Sequence, residues 1–209
     1  MTKKQRYNYI IDYFSKHNPN AASELEYENA YQLLAAVILS AQCTDKRVNT
    51  VTPPLFAAYP TPKDLKEASV EAIFNFIKSV SYPNNKAKHL KGMATVLVNK
   101  FNGIVPDTVE DLQELPGVGR KTANLVRALA FGKPAICVDV HVHRICNRLG
   151  FVKTKTPLET EMALRKKLPL KYWIDWNSHL VAFGQTCCRP VKPHCAECPI
   201  ARYCASNGS

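Results

Sequence analysis

The sequence has no hydrophobic run long enough to cross a membrane. Its longest apolar stretch, residues 33–41, is far shorter than the roughly 18 residues that a bilayer requires. The N-terminal segment is amphipathic and has no apolar core of the kind found in signal peptides. We therefore expect a protein that is neither secreted nor inserted in a membrane.

Alternating strand patterns and low-complexity segments are also missing. Apolar residues recur instead at helical spacing, which predicts short helices at residues 48–59, 62–67, 70–77 and 86–100. Proline or asparagine lies between most of these segments, as is usual between helices. The predicted fold class is all-α.

Acidic residues are scarce relative to basic ones. The 209-residue chain has 28 Lys and Arg against 17 Asp and Glu, a net charge of +11. Such a field attracts polyanions such as nucleic acid, although anionic lipid or solubility alone accounts for the charge equally well. With 46% hydrophobic and 22% charged residues, the composition is that of a folded protein.

Cysteines are distributed unevenly, with five of the eight in residues 187–204. A protein that is not secreted keeps its thiols reduced, so a metal site is expected rather than a disulfide framework. Cys187 neighbours the first candidate ligand, and a ligand at both positions would strain the loop, so we expect it to be a free or packed thiol. Spacing alone leaves zinc and iron–sulfur open, although a zinc ribbon usually has two Cys-x-x-Cys pairs. The candidate ligands are Cys188, Cys195, Cys198 and Cys204.

The stretch Leu-Pro-Gly-Val-Gly-Arg-Lys-Thr-Ala occupies residues 115–123. Gly117 and Gly119 let the backbone approach a ligand closely, and the start of the following helix attracts a phosphate. Arg120, Lys121 and Thr122 come directly after this turn. A simpler interpretation is a tight connection between helices, with a solvated lysine that contacts phosphate.

Asp139 is the single acid in the mostly apolar segment 135–142. Burial of an unpaired carboxylate is costly, so this side chain needs a partner or a function. It is a candidate N-cap of the next helix and a candidate catalytic group. The two roles are compatible.

The hairpin sequence, the segment Val-Asp-Val-His-Val-His-Arg at 138–144 and the cysteine loop occur in one order. Together they resemble the endonuclease III family of the helix-hairpin-helix DNA glycosylase superfamily. The resemblance implies two helical lobes with a DNA-binding cleft between them. It assigns residues 22–133 to a helical domain with the hairpin at about 109–130. Residues 1–21 and 134–209 would form an iron–sulfur domain with a [4Fe–4S] cluster loop at 188–204.

The implied activity is that of a bifunctional DNA glycosylase and AP lyase of base excision repair, acting on oxidised pyrimidines. Lys121 would be the nucleophile and Asp139 would stabilise the positive charge that develops on the sugar. A lysine amine carries a proton at neutral pH, so the helix N-terminus, Arg120 and desolvation under DNA are expected to favour its loss. The resulting Schiff base would allow strand cleavage by β-elimination.

The resemblance also implies DNA contacts outside the hairpin. Gln42 and Tyr82 would fill the gap left by a flipped base, and Arg189 and Lys192 would contact the phosphate backbone. Tyr82 is followed by Pro83, whereas the family commonly has leucine followed by tyrosine at these positions. The alternative is that Gln42 and Tyr82 are ordinary residues of surface loops.

Two other functions remain open at this point. An adenine-type monofunctional glycosylase would have a catalytic glutamate on the helix before Gln42 and no hairpin lysine. A non-catalytic DNA-binding hairpin protein would not require Asp139. We expect the partner to be double-stranded DNA with a damaged base or an abasic site. We further expect a monomer in the cytoplasm, associated with the nucleoid of a bacterium.

Overall fold

The computed structural model describes residues 2–17 and 24–207. All the regular elements in these ranges are helices, so the predicted all-α class is confirmed. None of the described helices is long and apolar enough to span a bilayer. The α-helices are α1 Lys3–His17, α2 Ala30–Ser40, α3 Asp45–Ala58, α4 Pro62–Glu67, α5 Val70–Ile77, α6 Pro83–Phe101, α7 Val109–Gln113, α8 Arg120–Phe131, α9 Val140–Arg148, α10 Pro157–Lys167 and α11 Trp173–Thr186.

Two of the predicted helices, α4 and α5, have the expected bounds, and two begin earlier than predicted. The side chain of Thr44 accepts a hydrogen bond from the N–H of Arg47 and starts α3 at Asp45, since such a cap satisfies an orphan donor. Pro83 starts α6 because proline suits the first position of a helix.

The chain divides into two compact units, Ser23–Lys133 and the combination of Met1–Ala22 with Pro134–Ser209. We call them the central unit and the terminal unit. The central unit contains α2–α8, and the terminal unit contains α1 and α9–α11.

Helix α2 forms the middle of the central unit. It begins at Asn29, whose side chain accepts a hydrogen bond of 3.0 Å from the N–H of Gln32. Every residue from Tyr31 to Leu39 is buried, and α3, α6 and α8 pack against the helix. Because apolar side chains cover nearly all of its circumference, α2 is buried on most faces, as expected for such a sequence.

Aromatic side chains form much of the core of the terminal unit. The ring of Phe14 on α1 meets the rings of Trp176 and Phe183 edge-on, with centroids 5.6 and 5.2 Å away. Edge-to-face contacts of this kind are favourable beyond the area that they bury. They attach α1 to α11.

Gly184 allows α9 and α11 to approach closely. A Cβ at this position would lie 2.5 Å from Nδ1 of His141 and 3.0 Å from a guanidinium nitrogen of Arg144. Both side chains belong to α9. A methyl group at this position would therefore force the side chains of His141 and Arg144 to move.

We expect Gly184→Ala to lower the free energy of unfolding by up to about 2 kcal/mol, because an overpacking cost of about 1–3 kcal/mol is offset only in part by the gain of about 1 kcal/mol in helix propensity. Urea unfolding measures the change. Gln185→Ala, at an exposed position of the same helix, is the control and should leave stability nearly unchanged. A Gly184→Ala variant as stable as the parent would contradict this packing.

Candidate active site and cysteine-lined cavity

The turn between α7 and α8 is built around two glycines with different roles. Gly117 has φ +84°, and a Cβ there would lie 3.0 Å from Cβ of His89. Any other residue would be strained and crowded at this position. Gly119 precedes α8, and a Cβ built on it meets nothing within 4 Å. The backbone at Gly119 is therefore open to a ligand.

The first turn of α8 carries the three polar residues that follow the glycines. Lys121 is exposed, whereas Arg120 and Thr122 are half-buried. The N–H of Val118 donates to the carbonyl of Leu115 at 3.0 Å and closes the turn. This arrangement presents a lysine and a helix N-terminus on one exposed surface, which favours an anionic ligand.

Asp139 caps the N-terminus of α9. Its Oδ1 accepts hydrogen bonds of 2.9 Å from the N–H groups of His141 and Val142, so the predicted capping role is confirmed. In the described part of the chain, no hydrogen bond to Oδ2 is found. The half-buried carboxylate is therefore held by one oxygen and has the other available. Lys121 belongs to the central unit and Asp139 to the terminal unit.

Gln42 and Tyr82 lie in two neighbouring turns of the central unit. Both are exposed, Tyr82 at 63%, and both have φ +55°. Left-handed backbone is unusual for residues with a Cβ and is often found at functional sites. The hydroxyl of Ser81 donates to the carbonyl of Gln42 at 2.7 Å, so the structure brings the two turns together.

The predicted ligand cysteines surround one cavity of about 330 Å³ in the terminal unit. In residues 2–17 and 24–207, no three His, Cys, Asp or Glu side chains are placed to hold a single metal ion. The four thiols are instead found together on the wall of one cavity. Cys187 also lines the cavity, together with residues of α9 and the loop. The four ligand candidates on the wall are Cys188, Cys195, Cys198 and Cys204.

Two arginines of α9 hold the start of the cysteine loop, a role that the sequence analysis missed. Arg144 donates to the carbonyl of Cys188 at 2.9 Å. Arg148 donates to the carbonyls of Arg189 at 2.6 Å and Pro190 at 2.9 Å. Their spacing of four residues, which puts both on one helix face, is the signal that could have indicated a shared contact.

The structure also places the two remaining predicted DNA contacts and the three cysteines outside the loop. Arg189 and Lys192 are exposed on the cysteine loop. Cys137 and Cys146 are buried, and Cys43 is half-buried against the core of the central unit. Burial raises the pKa of the Cys146 thiol to about 12, so this cysteine is an unreactive part of the core.

Known proteins match this chain over nearly its whole length. A family model described as HhH-GPD superfamily base excision DNA repair protein matches residues 35–170. Endonuclease III of Synechocystis is 43% identical, with 98% of this chain and 94% of the relative covered. The chain belongs to the endonuclease III family. Endonuclease III of Escherichia coli is 38% identical over 98% of this chain and 96% of its own length.

A solved structure of this family shows the same fold. It is a trapped endonuclease III–DNA covalent intermediate, with a TM-score of 0.90, 41% identity and coverage of 99% of this chain and 98% of that one. The present family member is a bifunctional DNA glycosylase and AP lyase of base excision repair.

Substitution of Asp139 separates its structural role from any chemical one. Asp139→Ala should lower the free energy of unfolding by about 0.5–2 kcal/mol, because two N–H groups of α9 lose their acceptor. Asp139→Asn should be close to the parent, since asparagine caps helices nearly as well. Thermal unfolding of both variants gives the comparison, and equal stability of Asp139→Ala and parent would contradict the cap.

Proposed function

We propose that this enzyme removes oxidised pyrimidines from double-stranded DNA and nicks the resulting abasic site by β-elimination. The observation that carries the proposal is an exposed lysine, Lys121, in the first turn of a helix whose preceding glycine is open to a ligand. A phosphate bound at the turn would place the adjacent sugar within reach of that amine. The partner is DNA with a damaged base or an abasic site.

Lys121 acts as the nucleophile. Its unprotonated amine forms a bond to C1′ of the flipped nucleotide while the bond from C1′ to the base breaks. Opening of the sugar gives a Schiff base between the lysine nitrogen and C1′. The iminium makes a C2′ hydrogen acidic, and its removal expels the 3′ phosphate. Hydrolysis of the imine then releases the lysine.

Asp139 stabilises the positive charge that develops on the sugar as the base leaves. Its Oδ1 is occupied by the N–H groups of His141 and Val142, which fixes the carboxylate without neutralising it. The negative charge on Oδ2 is then available where charge develops in the transition state. The cap is thus also the device that positions the group.

The DNA contacts divide into two classes. Gly117, Gly119, Arg120 and Thr122 bind a phosphate at the start of α8, because open backbone, a helix N-terminus and a basic side chain meet there. Arg189 and Lys192, which are exposed on the cysteine loop, also bind phosphate. Gln42 and Tyr82 fill the gap that the flipped base leaves in the duplex.

We assign a [4Fe–4S] cluster to the cysteine-lined cavity. The four candidate thiols line one cavity of about 330 Å³, and the loop has one Cys-x-x-Cys pair, whereas a zinc ribbon usually has two. A four-iron cluster binds one thiolate on each iron, and this distribution of thiols fits it. When bound, the cluster supplies a rigid centre for a loop that has little core of its own.

The two units then contribute different residues to the reaction. The central unit carries the hairpin, Gln42 and Tyr82, and the terminal unit carries Asp139 and the cluster loop.

The rival adenine-type glycosylase would need a glutamate on α2, and Ala30–Ser40 contains no acid. Chromosomal DNA as the substrate would make the bacterial nucleoid its place of action, where we expect it to work as a monomer.

We expect borohydride to trap a covalent complex between the enzyme and DNA that contains an abasic site, because a Schiff base is reducible. Lys121→Gln should abolish both trapping and nicking and retain DNA binding. Asp139→Asn should lower turnover far more than affinity, since its role belongs to the transition state. Gel analysis of the trapped complex and a binding titration measure these effects. Full lyase activity in Lys121→Gln would refute the mechanism.

We expect anaerobically purified protein to be brown, with broad absorption near roughly 400 nm. Serine at any of the four ligand positions should remove the colour and lower solubility, because the loop loses its centre. Cys187→Ser is the matched control and should retain iron and colour. The iron and zinc contents of the purified protein distinguish a cluster from a zinc site. Colourless protein with stoichiometric zinc would exclude the cluster. The four positions are Cys188, Cys195, Cys198 and Cys204.

A further inference from the structure

A buried lysine connects α6 to the end of α2. The side chain of Lys86 is on α6, and the residue is only 5% exposed. Its Nζ donates to the carbonyl of Leu39 at 2.8 Å and to that of Ala41 at 2.7 Å. Carbonyls at the end of a helix lack intrahelical partners and attract a cation. Lys86 therefore caps the C-terminus of α2 from a neighbouring helix.

Holding an ammonium group there has a cost. Burial lowers the pKa of the Lys86 amine, and the nearby Cys43 sulfur opposes this effect. An apolar side chain would not incur that cost but would leave the two carbonyls without a donor. The gain from the charged group is thus a fixed geometry at the end of α2.

A third hydrogen bond connects the same two segments. The hydroxyl of Ser81 donates to the carbonyl of Gln42 at 2.7 Å. Ser81 directly precedes Tyr82, and Lys86 follows it by four residues. The carbonyls that accept their hydrogen bonds belong to Gln42 and to two residues shortly before it in the chain. We call these three hydrogen bonds, from Lys86 to Leu39 and Ala41 and from Ser81 to Gln42, the clasp.

We propose that Lys86 and Ser81 are positioning residues that hold Gln42 and Tyr82 as one preformed pair, so that both enter the duplex together. The role rests on the proposed function of Gln42 and Tyr82. The buried Lys86 acts through the backbone at the end of α2, without contacting DNA. Preforming the pair reduces the conformational entropy lost when the two side chains enter the base stack.

The same helix provides a matched control. Lys91 donates to the carbonyls of Lys66 at 3.2 Å and Ala68 at 2.6 Å, so it contacts the end of α4 in the way that Lys86 contacts α2. Neither acceptor belongs to the turns of Gln42 and Tyr82. Lys91→Met therefore removes an equivalent lysine contact away from the clasp.

Amide hydrogen exchange of the free enzyme tests the clasp without DNA. The reporter amides are those of Cys43, bonded to the carbonyl of Ser40 at 3.0 Å, and of residue 86, bonded to that of Tyr82 at 3.2 Å. In Lys86→Met both should exchange faster, by roughly 10-fold to 100-fold. Ser81→Ala should give a smaller increase at the same two amides. Lys91→Met should leave both at the parent rate.

Single-turnover kinetics tests the consequence for the reaction. Lys86→Met should slow excision from duplex DNA by about 10-fold or more and spare β-elimination at an abasic site in a single strand, where no base stack must be filled. Tyr82→Ala should show the same pattern, because stacking on the neighbouring bases is lost. In the Tyr82→Ala background, Lys86→Met should cost less than it does alone. Lys91→Met should affect both substrates equally.

The outcomes separate the clasp from the function on which it rests. Duplex excision by Tyr82→Ala at the rate of the parent would refute the role of Tyr82. The amide exchange rates would still decide whether the clasp holds the two turns. Exchange in Lys86→Met and Ser81→Ala equal to that in Lys91→Met would overturn the clasp. Faster exchange with unchanged duplex excision would overturn its positioning role. If Lys86→Met fails to fold, Ser81→Ala provides the same comparisons.

Discussion

A helix leaves its first N–H groups and its last carbonyls without intrahelical partners. In this protein several of the functional residues lie at such helix ends or bind to them. Asp139 satisfies the start of α9, and Lys86 satisfies the end of α2. The start of α8 follows an open glycine and suits the negative charge of a phosphate. Short helices have many ends for their length, so an all-helical chain supplies several such positions.

Helix α9 connects two functional regions of the terminal unit. Its N-terminus is capped by Asp139, and its last turns carry Arg144 and Arg148, which hold carbonyls of the cysteine loop. Its close packing on α11 depends on Gly184. One helix thus holds both the carboxylate and the loop in which we place the cluster. A change in the packing of this helix would therefore alter the positions of both.

The central unit keeps strained backbone at two exposed turns. Gln42 and Tyr82 have left-handed conformations that persist only when surrounding contacts impose them. The buried end of α2, the ammonium of Lys86 and the hydroxyl of Ser81 supply those contacts. The chain therefore holds exposed polar and aromatic side chains in defined positions before any DNA arrives.

Sequence alone determined the helical class, the bounds of α4 and α5, the cap by Asp139 and the family. These depend on periodicity, on local capping chemistry and on short motifs, all of which act between residues close in the chain. The roles of Lys86, Arg144 and Arg148 were decided by the tertiary structure. Each donates to carbonyls about 40 or more residues away in sequence, and no local pattern shows which backbone groups packing will leave without partners.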